Sequence, residues 1–487
     1  MVRLPVNLAA KAWRGAWFAL VIVALAACAQ QPQGAAYPGG SAPTQAQLDN
    51  AFLRTFGGPY ADPRLQAYVA SVGNKLAAQT GASDVRWRFA VADSPFPTGA
   101  ATPDGSVLVT RGILSLMSDE SELAAVLGHE IGHVVLHHHA NRIDRQRQEL
   151  APVVQAVEHG DVTEARRLLL EGVLRIQAYS RENEFEADRY AVMLLSKAGY
   201  PPSGVDRMLT RLNDLSGYTN RGAGRLSEGM ERENLLASHP AIGERVTRAQ
   251  TEARPLPANN RDPVAREYLA AIDGIIVGRD TRNGVLRNGQ MLHGLYGVRL
   301  NVPDGYIAIP DRQLSSVLGR DGSGFIFNCQ PEQVSGSVQS WMEQRMQTTS
   351  GKGPQVEPYA VQGFDGASIS VPSRFRNGVG KIKLVAIKKD EAVCRFLVFV
   401  PPEVSEQSAA RLDASIRTFS RLSHAELAST RPFRMRILSA NGGETLEALA
   451  RSQSLPESGI DFVRLLNGVE SGHRYGAGQS IKMLTRD

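Results

Sequence analysis

The sequence predicts a multidomain protein: a mainly α-helical domain with a small sheet, then an α+β domain, then a small strand–helix–helix–strand module. Its 487 residues amount to about three domains of roughly 150 residues each. Hydrophobic residues at 43% and charged residues at 21% exclude wholesale disorder. Helix-like spacing dominates before a proline-rich break at Arg254–Asn260, and strand-like runs follow it. A mean hydropathy of −0.21 and a single long apolar stretch argue against a polytopic membrane protein.

The first element is a leader. Arg3, Lys11 and Arg14 precede an apolar run from Ala16 to Ala27 that ends at Cys28, the order of a secretory signal peptide. Twelve helical residues rise about 18 Å, short of the ~30 Å hydrocarbon core. A transmembrane anchor is therefore not expected. Setting those three cations aside lowers the net charge from +5 to +2, so the body offers no electrostatic case for nucleic acid. Leu25-Ala26-Ala27-Cys28 resembles the bacterial lipobox, in which the cysteine receives the lipid. Ala29, rather than Asp, follows it, and by resemblance to Gram-negative lipoproteins this implies the outer membrane. The uncharged stretch to Gln45 reads as a tether. The expected divisions are signal peptide 1–27, lipidated tether 28–47 and first domain 48–254. Cys329 and Cys394 remain, and an oxidising periplasm permits them to pair, though two buried thiols are equally compatible with the sequence.

The main chemical signal lies on the predicted helix Glu120–Ala140, which follows an Asp119–Glu122 pair of capping-box type. It contains His129-Glu130-Ile131-Gly132-His133, or H-E-x-x-H. Two imidazoles four residues apart project from one helical face about 6 Å apart along the axis and can grip one zinc ion. Glu130 can then reach a water at the metal. With ten histidines in the chain, about 0.01 chance matches are expected.

A catalytic zinc needs a third protein ligand and an open position. His137 lies about 12 Å along the helix from His129, too far for one ion. His139 stands where metzincins place a third histidine, but Leu136 occupies the position of their turning glycine and lets the helix continue. His137, His138 and His139 therefore read as a polar helix end. Another segment offers a carboxylate: Ser180–Ala191 reads as a helix that stops by Gly199 and Pro201. Glu184 and Asp188 share one face there, whereas Glu182 and Glu186 point elsewhere. That pair suits a zinc carboxylate plus an acceptor that fixes a ligand histidine's tautomer. A solvated acidic face is the alternative, and spacing alone leaves it open.

The segment Glu122–His133 together with Glu184-Phe185-Glu186-Ala187-Asp188 resembles the gluzincin zinc metallopeptidase family of HtpX, the CAAX prenyl protease and the periplasmic lipoprotein BepA. Val107-Leu108-Val109-Thr110-Arg111-Gly112 looks like that family's strand before the zinc helix. Ser238-His239-Pro240 followed by Arg245 resembles its late S/T-H-P…R motif. The resemblance covers about Leu48 to Arg254. It implies one Zn²⁺ per chain held by His129, His133 and Glu184, with Asp188 and Arg245 supporting them. Where the family often has Asn-Ala-Phe-Ala, this chain reads Thr98-Gly99-Ala100-Ala101, which alters the cleft wall.

The implied chemistry is attack of a zinc-activated water on a peptide carbonyl. Glu130 is the expected general base and His239 the donor to the carbonyl oxygen. In relatives that histidine can also approach the zinc, so a self-inhibited resting state is an expectation. The strand Ser106–Thr110 is expected to pair with an extended substrate.

Beyond the break, Gly297–Val302, Gly324–Cys329, Ala367–Val371, Lys381–Lys388 and Val393–Val400 read as strands, and Ser337–Gln347 and Ser405–Phe419 as helices. They form an expected α+β domain over 264–422. Its Asn301-Val302-Pro303-Asp304-Gly305 resembles the opening of Mog1/PsbP-type domains. The tail, 431–487, reads as Met435–Ser439, Glu444–Ser452, Ile460–Asn467 and Ser480–Leu484 in βααβ order. Gly443-Glu444-Thr445-Leu446, Leu466-Asn467-Gly468 and Gly478-Gln479-Ser480-Ile481 resemble a degenerate LysM module, which implies contact with peptidoglycan.

The function these readings predict is a periplasmic, outer-membrane-anchored zinc endopeptidase acting on misfolded or stalled envelope proteins. The alternative is a chaperone-like or cell-wall-binding lipoprotein with a silenced zinc site. An intact Glu130 favours the enzyme, since a structural zinc site needs no base beside its ligands.

Overall fold

The computed structural model describes residues 51–159, 161–220, 242–256, 265–346, 354–404 and 406–486. The leader, Cys28, the tether and His239 lie outside the described residues. The chain divides into two compact units, Met1–Gly278 with Arg434–Thr485, and Arg279–Phe433 with Arg486–Asp487. No helix among the described residues is long and apolar enough to cross a membrane.

In the first unit, helix α1 (Pro63–Ala77) starts at the Asp62 cap, whose carboxylate accepts from the Arg64 and Leu65 amides. Strands β1 (Arg88–Ala92), β2 (Gly99–Ala101) and β3 (Ser106–Thr110) form a three-stranded sheet in the order β1-β3-β2. Strand β3 pairs parallel with β1 and antiparallel with β2. Both its edges are thus filled, which corrects the expectation that Ser106–Thr110 receives a substrate strand. The edge on the cleft side belongs to β2.

Short helix α2 (Arg111–Leu116) follows, then α3 (Glu120–Val135). Asp119 caps α3 by accepting from the Ser121 and Glu122 amides, while Glu122 accepts from the Ser118 amide. Helix α3 is buried nearly throughout, so its apolar residues serve as a core rather than as one amphipathic stripe.

The expected continuation of α3 through Leu136 does not occur. Leu136 caps it, His137 adopts a left-handed conformation at φ 55°, and a new helix, α4 (His138–Glu158), departs from there. A non-glycine residue in that region costs about 1 kcal/mol and marks an enforced turn. Helix α5 (Val162–Lys197) runs 36 residues, about 54 Å, and packs on both α3 and α4. Helices α6 (Gly204–Asn220), α7 (Ile242–Ala253) and α8 (Ala265–Ile272) and strand β4 (Ile276–Val277) complete this part of the unit.

The second unit opens with β5 (Val285–Arg287), β6 (Gln290–His293) and β7 (Val298–Asn301). Next come β8 (Tyr306–Ile309), β9 (Ser315–Gly319), β10 (Gly324–Pro331) and helix α9 (Val338–Met346). Strands β11 (Glu357–Pro358), β12 (Gly366–Phe375), β13 (Gly378–Lys389) and β14 (Ala392–Val400) precede helix α10 (Glu406–Arg417), strand β15 (Ser420–Arg421) and helix α11 (His424–Ser429). One sheet has seven strands in the order β11-β12-β13-β14-β10-β9-β8, and a second has the order β15-β7-β6-β5. Strand alternation sends Phe325, Phe327, Val385 and Phe396 to one face of the large sheet, where Leu412 and Ile416 of α10 cover them. Ile369, Ala386 and Val393 go to the other, under Val338 and Met342 of α9.

Cys329 and Cys394 are direct register partners on β10 and β14 and form a disulfide, a bond at home in an oxidising compartment. Their sequence separation is 65, and closing a loop of that size restricts the unfolded chain by about 2–4 kcal/mol. Thermal melts with and without reductant should show the loss as a lower midpoint for this unit; an unchanged midpoint would mean that the sheet alone fixes the register.

The chain then returns to the first unit through β16 (Phe433–Ser439), α12 (Leu446–Ser452), α13 (Glu457–Asn467) and β17 (Ser480–Thr485). The βααβ order is present, but β16 also joins β4, giving a sheet in the order β17-β16-β4. Residues 265–278, expected in the α+β domain, and the C-terminal module both belong to the first unit.

A buried lysine ties this module down. Lys482 Nζ donates to the carbonyls of Ser115, Leu116 and Met117 at 3.2, 3.1 and 2.5 Å, satisfying the carbonyl end of α2. Lys482→Ala removes the ammonium from three buried acceptors and leaves space behind, so it should destabilise the first unit by about 2–4 kcal/mol. Lys482→Met, which keeps the stem, should lose less. Chemical denaturation of the two variants checks the order.

Candidate metal centre

The site forms where α3 crosses α5. Gly128 and Gly132 allow the close approach: a Cβ at 132 would lie 3.2 Å from the Ala187 carbonyl oxygen and 3.3 Å from the Tyr190 Cβ, and one at 128 would lie 3.4 Å from the Ala191 Cβ. The tight crossing sets Glu184 of α5 opposite the two histidines of α3. His129 Nε2 and His133 Nε2 are 3.0 Å apart, and the Glu184 oxygens lie 3.5 and 3.4 Å from them. One ligand atom from each of these residues fits within 4.8 Å of the others, and all three residues are buried. Two imidazole nitrogens and a carboxylate thus converge on one point. A divalent cation accepting two nitrogens and one oxygen satisfies that set, and this donor chemistry is zinc's.

Supporting contacts surround it. His129 Nδ1 contacts Asp188 Oδ1 at 2.9 Å, so the imidazole donates there and its Nε2 faces the centre. Arg245 of α7 binds Asp188 through Nε at 2.7 Å and Nη2 at 2.8 Å, and Glu184 through Nη1 at 2.8 Å. Arg245 is 2% exposed and the two carboxylates 4% each. Burial alone would raise Asp188, but Arg245 and His129 hold its carboxyl below the ordinary range. Burial likewise disfavours charge on His129, yet hydrogen bonds to Asp188 and Glu184 outweigh it and lift the imidazole to about 10.

Glu130 follows on α3, 4% exposed, beside an apolar cleft lined by Pro97, Gly99, Val126, Met208, Leu212 and Ile242. Gly99 on β2 is pressed against it: a Cβ there would come within 2.8 Å of Glu130 Oε1. Thr98 and Gly99, the first residues of the stretch that departs from the family pattern, thus line the cleft beside Glu130.

One expectation needs correction. His138 is not part of a polar helix end. The turn at His137 swings it inward to 4% exposure, where its Nδ1 lies 2.9 Å from His133 Nδ1 and its Nε2 lies 3.2 Å from Glu186 Oε2. Burial lowers the His138 pKa against the pull of Glu186, which favours the neutral ring. Glu186 stays off the face of Glu184 and Asp188, as expected, and meets the His138 ring instead. Neither His137 nor His139 joins the converging group, although the His139 ring lies 6.1 Å from that of His133. His239 lies outside the described residues, which therefore do not contain the expected donor to the carbonyl oxygen.

Residues 63–253 match the model of Peptidase family M48. Among curated proteins the chain is similar to the beta-barrel assembly-enhancing protease of Yersinia pestis, 29% identical over 200 residues, covering 37% of this chain and 41% of that protein. It is also similar to the mitochondrial metalloendopeptidase OMA1 of Schizosaccharomyces pombe, 29% identical over 183 residues, covering 38% of this chain and 51% of that one. The chain thus spans about half or less of the length of these relatives. A solution structure of cyanobacterial PsbP from Synechocystis sp. PCC 6803 aligns at TM-score 0.22 and 11% identity, covering 27% of this chain and 91% of that one, a score too low to bear on the fold.

Proposed function

We infer, from a chain whose residues 63–253 match the model of Peptidase family M48, that this protein is a zinc-dependent endopeptidase of the bacterial envelope. The observation that carries the reading is the convergence of His129, His133 and Glu184 on one point with Glu130 beside them at the cleft. A zinc ion held there supplies a Lewis acid for the scissile carbonyl and lowers the pKa of water beside it.

The chain's residues account for the rest. Glu130 takes a proton from the attacking water and returns it to the departing amine. Asp188 and Arg245 hold His129 and Glu184 in place, and the buried cleft keeps bulk water away. His239 serves as the donor to the developing oxyanion. An extended substrate adds to the open edge of β2, whose Gly99 brings main chain close to Glu130, so recognition runs through backbone hydrogen bonds with little sequence preference. The lipobox at Leu25–Cys28 supports lipid anchoring at the outer membrane. The name of the Yersinia relative supports substrates from β-barrel assembly, so the class proposed is misfolded or stalled envelope proteins. The glycan contact expected of the C-terminal module remains part of this proposal, resting on its βααβ order.

The test is cleavage of casein by the purified mature chain against Glu130→Gln, with zinc measured in both. Cleavage by the parent alone, with equal zinc, supports the enzyme. Equal inactivity in both points to the non-proteolytic binder.

A further inference from the structure

The two histidines of the centre are oriented by different devices. His129 donates directly to Asp188. His133 Nδ1 meets a second imidazole, that of His138, at 2.9 Å.

We propose that His138, itself oriented by Glu186, is a positioning residue that fixes His133 in its metal-binding tautomer. The inference rests on the metal-centre reading above. An ionised carboxylate only accepts hydrogen bonds, so the 3.2 Å contact between Glu186 Oε2 and His138 Nε2 places the His138 proton on Nε2. The His138 Nδ1 is then a bare acceptor. His133 must donate to it from Nδ1, and its lone pair is left on Nε2, the nitrogen 3.4 Å from Glu184 Oε1 and 3.0 Å from His129 Nε2. The relay thus does for His133 what Asp188 does for His129.

The backbone shows what this arrangement needs. A continuous helix would carry His138 away from His133, five residues on. The left-handed turn at His137, φ 55°, breaks α3 and aims His138 back across the gap. Glu186 is two residues from Glu184 on α5, so one helix supplies both the carboxylate of the centre and the anchor of the relay.

Because asparagine places its carbonyl oxygen near the position of an imidazole Nδ1, and glutamine near that of Nε2, the two amides separate positioning from packing. Zinc affinity is measured for the full chain by competition with a chromophoric chelator, alongside the visible spectrum of the cobalt-substituted protein. Losing an orienting partner of a metal ligand typically weakens affinity about 10–100-fold, and that loss is expected for His138→Ala and His138→Gln. His138→Asn should stay within about threefold of the parent and keep its cobalt spectrum. Glu186→Ala, which frees the His138 tautomer, should fall between. A folded His138→Ala that binds zinc as the parent does, or equal loss in the Asn and Gln variants, overturns the relay. A parent that binds no zinc defeats the metal centre itself, a separate failure.

Discussion

Glu130→Gln is expected to reduce peptide-bond cleavage by about 10²–10⁴-fold, the range that a positioned general base contributes, while zinc content stays stoichiometric. The substitution is nearly isosteric, which matters because Glu130 is 4% exposed and Gly99 lies against its carboxylate; a larger change would disturb the β2 edge as well. Glutamine cannot take the proton, yet none of the three converging ligand atoms is altered. The loss should appear in turnover far more than in substrate affinity, since the substitution leaves the β2 edge unaltered. Initial rates on a fluorogenic casein over a range of concentrations separate the two. A variant that cleaves at more than a tenth of the parent rate would remove Glu130 from the proton transfer and force the base to be sought elsewhere along the cleft.

The sequence made the converging residues of this centre readable and hid the His138–Glu186 contact for a physical reason. His129, Glu130 and His133 are local, one helical turn apart, so spacing alone aligns them. Glu184 and Asp188 are far along the chain but again one turn apart, and a shared face could be inferred without knowing what it faced. His138 and Glu186 escaped because their meeting depends on a backbone break at His137, where a non-glycine residue takes a conformation that composition does not announce. The same limit explains the substrate edge. Ser106–Thr110 looks like an isolated strand, but Gly99–Ala101 is too short and too poor in β-branched residues to register, so the pairing that fills the β3 edge was invisible. In the second unit the long central strands were legible from their apolar runs, whereas Tyr306–Ile309 and Ser315–Gly319, short strands toward one side of the sheet, were not. Cys329 and Cys394 needed the register of β10 and β14, a long-range property, before they could be paired. The βααβ tail was readable as local elements, but its membership of the first unit rests on β4 and Lys482, contacts that span more than 150 residues.

The charge balance of the centre leads to the second large effect. Arg245→Met should lower the stability of the first unit in the presence of a chelator by about 3–5 kcal/mol, the usual cost of leaving buried charge without its partner. The guanidinium binds both Asp188 and Glu184 through contacts of 2.7–2.8 Å. Methionine preserves most of the stem and its packing, so the loss reports charge rather than a cavity. Zinc should then restore the variant by more than it stabilises the parent, because a divalent cation beside Glu184 replaces part of the missing positive charge and relieves a repulsion the parent never feels. The comparison is four thermal melts, each protein with zinc and with chelator. For a unit of this size each kcal/mol moves the midpoint by about 2–4 °C, so the chelated variant should melt some 6–20 °C below the parent and close much of that gap on zinc addition. Equal zinc shifts in the two proteins would show that Arg245 and the cation do not share the same carboxylates, and the electrostatic account of the centre would fail with them.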